Sequence, residues 1–352
     1  MKPFRLLDTG MYPGRMNVAL DQALIDGHRA GLTPDTLRFL EFSPSALIGR
    51  HQDLSRELDL DFCAAQGIDV GRRVTGGGAI YLDQGQLGWE LVCSRSVLGG
   101  GTLATLAARV CTAAAHGLAR LGVDARFRPR NDLEVGGRKI GGTGGFFDGD
   151  TVFYQGTVLI DLAPGMMFGA LRIGADKRAR HAADPTTRVT TLRAELGDRA
   201  PDHAAVKAAL AAGFAQSFDL DLVQAGLRIE ETAAAEALFR GEIGSADFVH
   251  EIDRPGAGQA WRSAIIDTRG GLVTVHLKLA PGTAMRLERV LFSGDFFVTP
   301  PRLIYDLEQA LADVELADVG GRIRDFVALA QPDILSITVE DLIAVVATAA
   351  AA

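Results

Sequence analysis

The chain has 352 residues, too many for one average domain, and 47% of them are hydrophobic, so a large core plus a smaller second domain is the expectation. A net charge of −8, with no Lys/Arg run interleaved with aromatic residues, argues against a nucleic-acid partner. No apolar segment follows the Met1 region and no uninterrupted apolar stretch reaches roughly 18 residues, so no membrane span is expected and the cytoplasm is the default compartment.

Residues 17–29 predict an amphipathic helix, with Asn17 a candidate N-cap, Leu20, Ala23 and Leu24 on one stripe, and Gly27 or Gly31 near its end. Short apolar runs at 37–40, 46–49, 68–74, 79–82 and 87–93, separated by Gly, Pro, Asp and Gln, predict strands. From Thr102, apolar residues recur with helical period through Leu121 and stop at Gly122. Strand-like segments return at 132–135, 139–141 and 151–161, and 202–239 predicts two helices. The polar stretch 245–260, with Pro255, Gly256 and Gly258, has the composition of a linker, which divides the chain into domains at 1–250 and 251–352. Beyond it, 262–268, 272–279 and 286–292 predict strands, with a hairpin turn at Arg269-Gly270-Gly271. Helices follow at 301–314, 322–330 and 338–350, the last opened by a Thr338/Asp341 capping pair.

Cys63, Cys93 and Cys111 are odd in number, widely spaced and without a Cys-x-x-Cys pair, so they are expected as buried small hydrophobes and not as a disulfide framework or zinc site. The seven His residues form no i, i+4 pair, and no metal site built by protein side chains alone is expected.

Two glycine-dense turns carry the chemistry: Arg72-Arg73-Val74-Thr75-Gly76-Gly77-Gly78-Ala79 and the run from Gly136 to Gly145, which contains Arg138-Lys139. Bare backbone lets N–H groups converge on an anion while the adjoining cations supply charge, which suits phosphate. Neither has P-loop spacing. Gly99-Gly100-Gly101 before a helix matches a dinucleotide fingerprint only loosely, because Asp124 follows a helix and not a strand. Only five of the 36 cations are Lys, so Lys139 inside a glycine turn points to a need for a compact ammonium. Asn131-Asp132 at a strand edge suits either a Mg²⁺ or ribose contact or an ordinary turn, and Lys177 either a ligand or an exposed loop.

In order, Asn17-Val18-Ala19-Leu20-Asp21, Ile48-Gly49-Arg50-His51-Gln52, the Arg72–Ala79 turn, Arg130-Asn131-Asp132-Leu133, Arg138-Lys139-Ile140-Gly141-Gly142, Gly156-Thr157-Val158-Leu159 and Arg188-Val189-Thr190-Thr191-Leu192 resemble the biotin/lipoate A/B ligase family, on its lipoate-protein ligase side. The resemblance implies an α/β (α+β) fold with a mixed, largely antiparallel sheet flanked by helices, like biotin ligases and class II tRNA synthetases, plus a small C-terminal α+β accessory domain. It implies ATP and Mg²⁺ as cofactors, lipoate or octanoate as substrate, and a Lys of a lipoyl carrier protein or domain as acceptor. Lys139 would be the catalytic group. Arg73, Thr75, Gly76, Gly77, Gly78, Ala79, Gly141, Gly142, Gly156 and Thr157 would bind the acyl-adenylate, and Asn131, Asp132 and Lys177 the nucleotide or Mg²⁺. Leu82 and Gln155 stand where relatives often carry His, and Trp89-Glu90 replaces a small polar pair. The resemblance leaves open octanoyl transfer without ATP, biotin ligation, and a non-catalytic binder of lipoyl domains. A thioester route through a late cysteine is disfavoured, since no Cys follows Cys111.

Overall fold

The computed structural model describes residues 2–172, 188–253, 261–282 and 285–351. Its centre is an eight-stranded sheet in the order β11-β1-β2-β6-β10-β9-β8-β7. These strands are β1 (Lys2–Tyr12), β2 (Thr36–Phe42), β6 (Gln86–Ser94), β7 (Arg126–Arg128), β8 (Asp132–Val135), β9 (Arg138–Asp148), β10 (Thr151–Leu159) and β11 (Leu220–Gln224). Only the β1 pairings with β2 and β11 are parallel, so the sheet is mixed and mostly antiparallel, as expected from the sequence. A smaller sheet, β4-β3-β5, is made by β3 (Ser45–Ile48), β4 (Asp69–Arg72) and β5 (Ile80–Leu82).

The period of a strand sorts β6 between two cores. Leu87, Trp89, Leu91 and Cys93 pack under the helices Leu103–Ala119 and His203–Phe218. Gly88, Glu90 and Val92 face the other way, toward the helix Gly14–Arg29 and the small sheet, where Leu40, Phe42, Leu47, Leu82 and Phe153 form a separate core. That second interlayer holds the site. Thr102 caps the helix Leu103–Ala119 by accepting from Thr105 N–H, and Gly122 follows with φ +85°. The triple glycine before it holds no dinucleotide fingerprint: Leu103 N–H donates to Asp333, and Arg109 donates to the Gly100 carbonyl.

Several expectations need correction. The first helix starts at Gly14, so Asn17 is not its cap but a buried side chain donating to the Glu41 carbonyl and accepting from Arg38. Strands β1, β7 and β11 were not anticipated; β11 divides the two helices expected over 202–239. Part of the expected linker is docked: Ala246–Val249 is a helical turn, and Arg72 donates to the carbonyls of Phe248, Val249 and Ile252 as well as to those of Gly49, Arg50 and Gln52.

The C-terminal part packs its own core between a three-stranded sheet, β12 (Trp261–Thr268), β13 (Gly271–Leu279) and β14 (Leu287–Gly294), and helices that include Leu303–Ala310, Val319–Ala330 and Val339–Ala351. Thr338 and Asp341 exchange the two bonds of a capping box. Its seam with the large sheet is tight. Gly294 N–H donates to the His51 carbonyl, His51 stacks on Phe296 at 5.3 Å, and Thr299 exchanges hydrogen bonds with the Phe147 backbone. Burial, then the Arg50 and Arg72 charges, push the His51 imidazole down to about 3, so it stays neutral there.

Two stability predictions arise here. Arg72→Met strands six carbonyls, five of them buried, and chemical denaturation should register a loss of about 3–5 kcal/mol; a loss within experimental error would remove Arg72 from the structural role given to it. Near the seam, burial raises the Glu308 carboxyl from 4.5 to about 8. Between those values the folded state keeps a proton that the unfolded state has lost, so stability should fall as pH rises through the window, by up to about 1.4 kcal/mol per unit. Glu308→Gln should flatten that slope in denaturation curves taken from pH 5 to 8.

Candidate active site

A cavity of about 200 Å³ lies between the large sheet, the helix Gly14–Arg29 and the small sheet. Its floor is made by residues of four successive strands, Leu40 on β2, Gly88 on β6, Thr157 on β10 and Gly142 on β9. Val18, Phe42, Leu47, Ile80 and Leu82 make the remote half largely apolar, and Asn17 and Asp21 also line the cavity. At the near end stand Lys139 and Asn131, with the Thr75–Ala79 turn along one side.

The turn is held open by its own cation. Arg73 lines the cavity, and its guanidinium donates to the carbonyls of Leu47 (2.8 Å), Gly76 (3.3 Å) and Gly78 (2.7 Å). Burial lowers it to about 10, so it remains a cation at neutral pH. Gly77 requires glycine, with φ +91° and a Cβ position 2.6 Å from the Phe297 ring. Gly78, in contrast, faces open space. Gln155 donates to the Thr75 hydroxyl at 2.7 Å, fixing the turn to the floor.

Lys139 Nζ lies 2.7 Å from Asp132 Oδ1, while Arg128 holds Asp132 Oδ2 at 2.6 Å. Burial alone would raise the Asp132 carboxyl, but the Lys139 and Arg128 charges outweigh it and hold the group below the usual carboxylate range. The Lys139 backbone is braced by the late motif: its carbonyl accepts from Thr190 N–H at 2.8 Å, and Val189 bridges it in parallel. A Cβ on Gly142 would lie 2.7 Å from Lys139 Nζ, so the glycine makes room for the ammonium. Asn131 donates to the Thr143 carbonyl at 2.5 Å, and Thr143 Oγ1 donates to the Asn131 carbonyl at 2.9 Å.

Of the residues expected from sequence, Arg73, Thr75, Gly76, Gly77, Gly78, Ala79, Asn131, Lys139, Gly142, Gly156 and Thr157 meet at this cavity. Asp132 reaches it through Lys139. Gly141 is not part of the wall: strand alternation turns it away, with a Cβ position against the Thr157 carbonyl. Lys177 lies outside the described residues. Sequence reasoning missed Gly144, Thr143 and Phe297 as lining residues. Phe297 arrives from the C-terminal part, and no local pattern in its segment marks it as facing a cavity some 220 residues earlier in the chain. The break of Leu87-Gly88-Trp89 in an apolar strand was a usable signal for the floor.

A family model described as the lipoyl protein ligase A/B catalytic domain matches residues 13–215. The chain belongs to this family. Among similar lipoyl-ligase-family proteins, the octanoyltransferase LipM of Symbiobacterium thermophilum is 32% identical over 265 residues, covering 68% of this chain and 96% of that protein. The bipartite lipoate protein ligase of Thermoplasma acidophilum, solved in a study of that ligase and its E2 lipoyl domain, superposes with TM-score 0.64 at 26% identity, covering 73% of this chain and all of that one. A lipoate-protein ligase A bound with ATP gives 0.62 at 25% identity, covering 72% and 100%. The chain is thus an enzyme of the lipoate ligase and octanoyltransferase family.

The contact between β9 and the C-terminal part can be probed directly. Gly144→Val places side-chain atoms where the Phe297 ring now lies, since even a Cβ would sit 2.4 Å from it. The variant should lose about 1–3 kcal/mol by denaturation, and Phe297→Ala should restore part of that loss when combined with it.

Proposed function

We propose that the protein is an ATP-dependent acyl-protein ligase, which activates lipoate or octanoate as acyl-AMP and passes the acyl group to a Lys of a lipoyl carrier protein or domain. The observation that carries this reading is that Lys139, the one ammonium lining the cavity among the described residues, stands at one end of a space whose walls are otherwise largely apolar, beside a cationic glycine turn. A carboxylate with a medium-length apolar tail fits that polarity.

A carboxylate does not acylate an amine by itself. In the first step a substrate carboxylate oxygen attacks the α-phosphorus of ATP and pyrophosphate leaves. In the second, the acceptor Lys ε-amine attacks the acyl carbonyl, AMP leaves, and the amine gives up a proton. Negative charge gathers first on the α-phosphoryl oxygens and then on the acyl oxygen, within reach of Lys139 in both steps. Asp132 holds the ammonium in place, and the free face of Gly78 leaves the turn's backbone open to the ligand. Asp132 does not suit a Mg²⁺ ligand here, because both its oxygens are engaged by Lys139 and Arg128. Among the described residues no cluster of three His, Cys, Asp or Glu side chains could hold a metal. The nucleotide's phosphates would carry the ion.

Octanoyl transfer without ATP is the second reading, favoured by the similarity to an octanoyltransferase. A thioester route requires an accessible thiolate. All three cysteines are buried, and Cys111, the one near the cavity, sits behind Thr143 with burial pushing its thiol up to about 11.

Mass spectrometry of an apo lipoyl domain incubated with the protein, lipoate and Mg-ATP should show the lipoyl mass increment, absent when ATP is withheld. Lys139→Ala should lower the rate about 10²–10³-fold. An increment from octanoyl carrier protein with no ATP present would transfer the assignment to the second reading, and full activity of the alanine variant would remove Lys139 from the chemistry.

A further inference from the structure

We infer that Asp21 sets the length of acyl chain this protein accepts, because its side chain, clamped between Arg38 and Glu90, walls off the end of the cavity remote from Lys139. The inference rests on the acyl reading of the cavity and adds the residue that selects within it.

The cavity crosses the strands. From Gly142 on β9 its floor passes Thr157 on β10 and Gly88 on β6 before reaching Leu40 on β2. Neighbouring strands lie roughly 4.8 Å apart, so the floor from β9 to β6 measures about 10 Å. An extended eight-carbon chain, with bonds of about 1.5 Å in zigzag, is about 9 Å long. The acid's far end therefore arrives over Gly88, whose own Cβ position would already lie 2.8 Å from Leu40 Cγ.

Asp21 descends from the helix roof over the Arg38–Glu90 pair, the same-face neighbours of Leu40 and Gly88 along β2 and β6. Arg38 NH1 donates to Asp21 Oδ1 at 2.7 Å and to Glu90 Oε1 at 2.9 Å; Arg38 also donates to Asn17 Oδ1 at 2.6 Å and to Thr9 Oγ1 at 3.0 Å. The Arg38 and Glu90 side chains are wholly buried, and Asp21 is 5% exposed. An apolar side chain in this place could swing aside for a longer ligand. Asp21 is tied instead, since moving it aside breaks its charge-assisted bond to Arg38.

Two carboxyls face one guanidinium, and Glu90 Oε2 has no other hydrogen-bond partner among the described residues. Burial first, then the Glu90 charge, hold the Asp21 carboxyl well above its usual range. Removing Asp21 then leaves Arg38 and Glu90 as a balanced pair. The stop is separable from the charge balance, which makes it testable.

The test is isothermal titration calorimetry of the full chain with hexanoate, octanoate, decanoate and dodecanoate, without nucleotide. For the parent, affinity should rise about fourfold per methylene up to octanoate and then fall by about tenfold or more at dodecanoate. Asp21→Ala should move the maximum to decanoate or beyond, while Asp21→Asn, which keeps the volume and the acceptor for Arg38, should leave it at octanoate. Parent affinity that climbs through dodecanoate overturns the stop even if the alanine variant does not fold. So does an unchanged maximum in a folded Asp21→Ala, shown by circular dichroism. Binding of none of the acids to the parent would sink the acyl reading together with this one. A failed ligation assay alongside the expected binding profile would sink only the proposed reaction.

Discussion

The guanidinium of Arg72 is the point on which the site's construction depends. It sits at the end of β4 with no exposed surface and donates to carbonyls from the 49–52 loop and from the 248–252 segment. The glycine turn begins one residue later. A turn rich in glycine has little conformational preference of its own, so its shape must be imposed at its ends. Arg72 anchors the start, Arg73 ties the middle to Leu47 and Gly78, and Gln155 fixes Thr75 to the sheet. Two adjacent arginines thus act on carbonyl groups, and among the described residues Lys139 is the cation presented at the near end of the cavity.

This division of labour explains the scarcity of lysine in a meaningful position. A guanidinium distributes five donors over a planar fork and is suited to gathering several carbonyls at once. An ammonium is compact and fits the gap that Gly142 leaves beside it. The chain uses Arg for architecture even inside its glycine turn, and places Lys139 in the gap beside Gly142 at the cavity.

The face of the sheet that carries the cavity is unusual in being lined by buried charge. Opposite it, β6 packs Leu87, Trp89 and Leu91 into an ordinary apolar core. On the cavity side Glu90 and Arg38 lie side by side on neighbouring strands, and Asp21 joins them from the helix. Isolated, any one of these groups would cost several kcal/mol to bury; together they pair one guanidinium with two carboxyls and tie roof to floor. The Glu90 carboxylate is accommodated in the interior by the Arg38 guanidinium beside it.

What the sequence determined by itself was the local and the covalent: the period of the long helices, the alternation of β6 and β10, the capping box at Thr338, and the two glycine turns whose order along the chain carries the family resemblance. Those signals depend on neighbours a few residues apart, which is the range over which periodicity and turn chemistry act. Tertiary structure decided the rest. Strands β1 and β11 pair at the sheet's edge with partners far away in sequence, and β7 is only three residues long, too short for a pattern. Gly141 and Gly142 are indistinguishable in sequence, yet the pleat sends one toward the cavity and one away. Phe297 enters from the C-terminal part, and Asp21, Arg38 and Glu90 meet from a helix and two strands. Buried polar groups need partners wherever the fold can supply them, so contacts of this kind are fixed by the packing of distant elements and leave no spacing in the chain to be read.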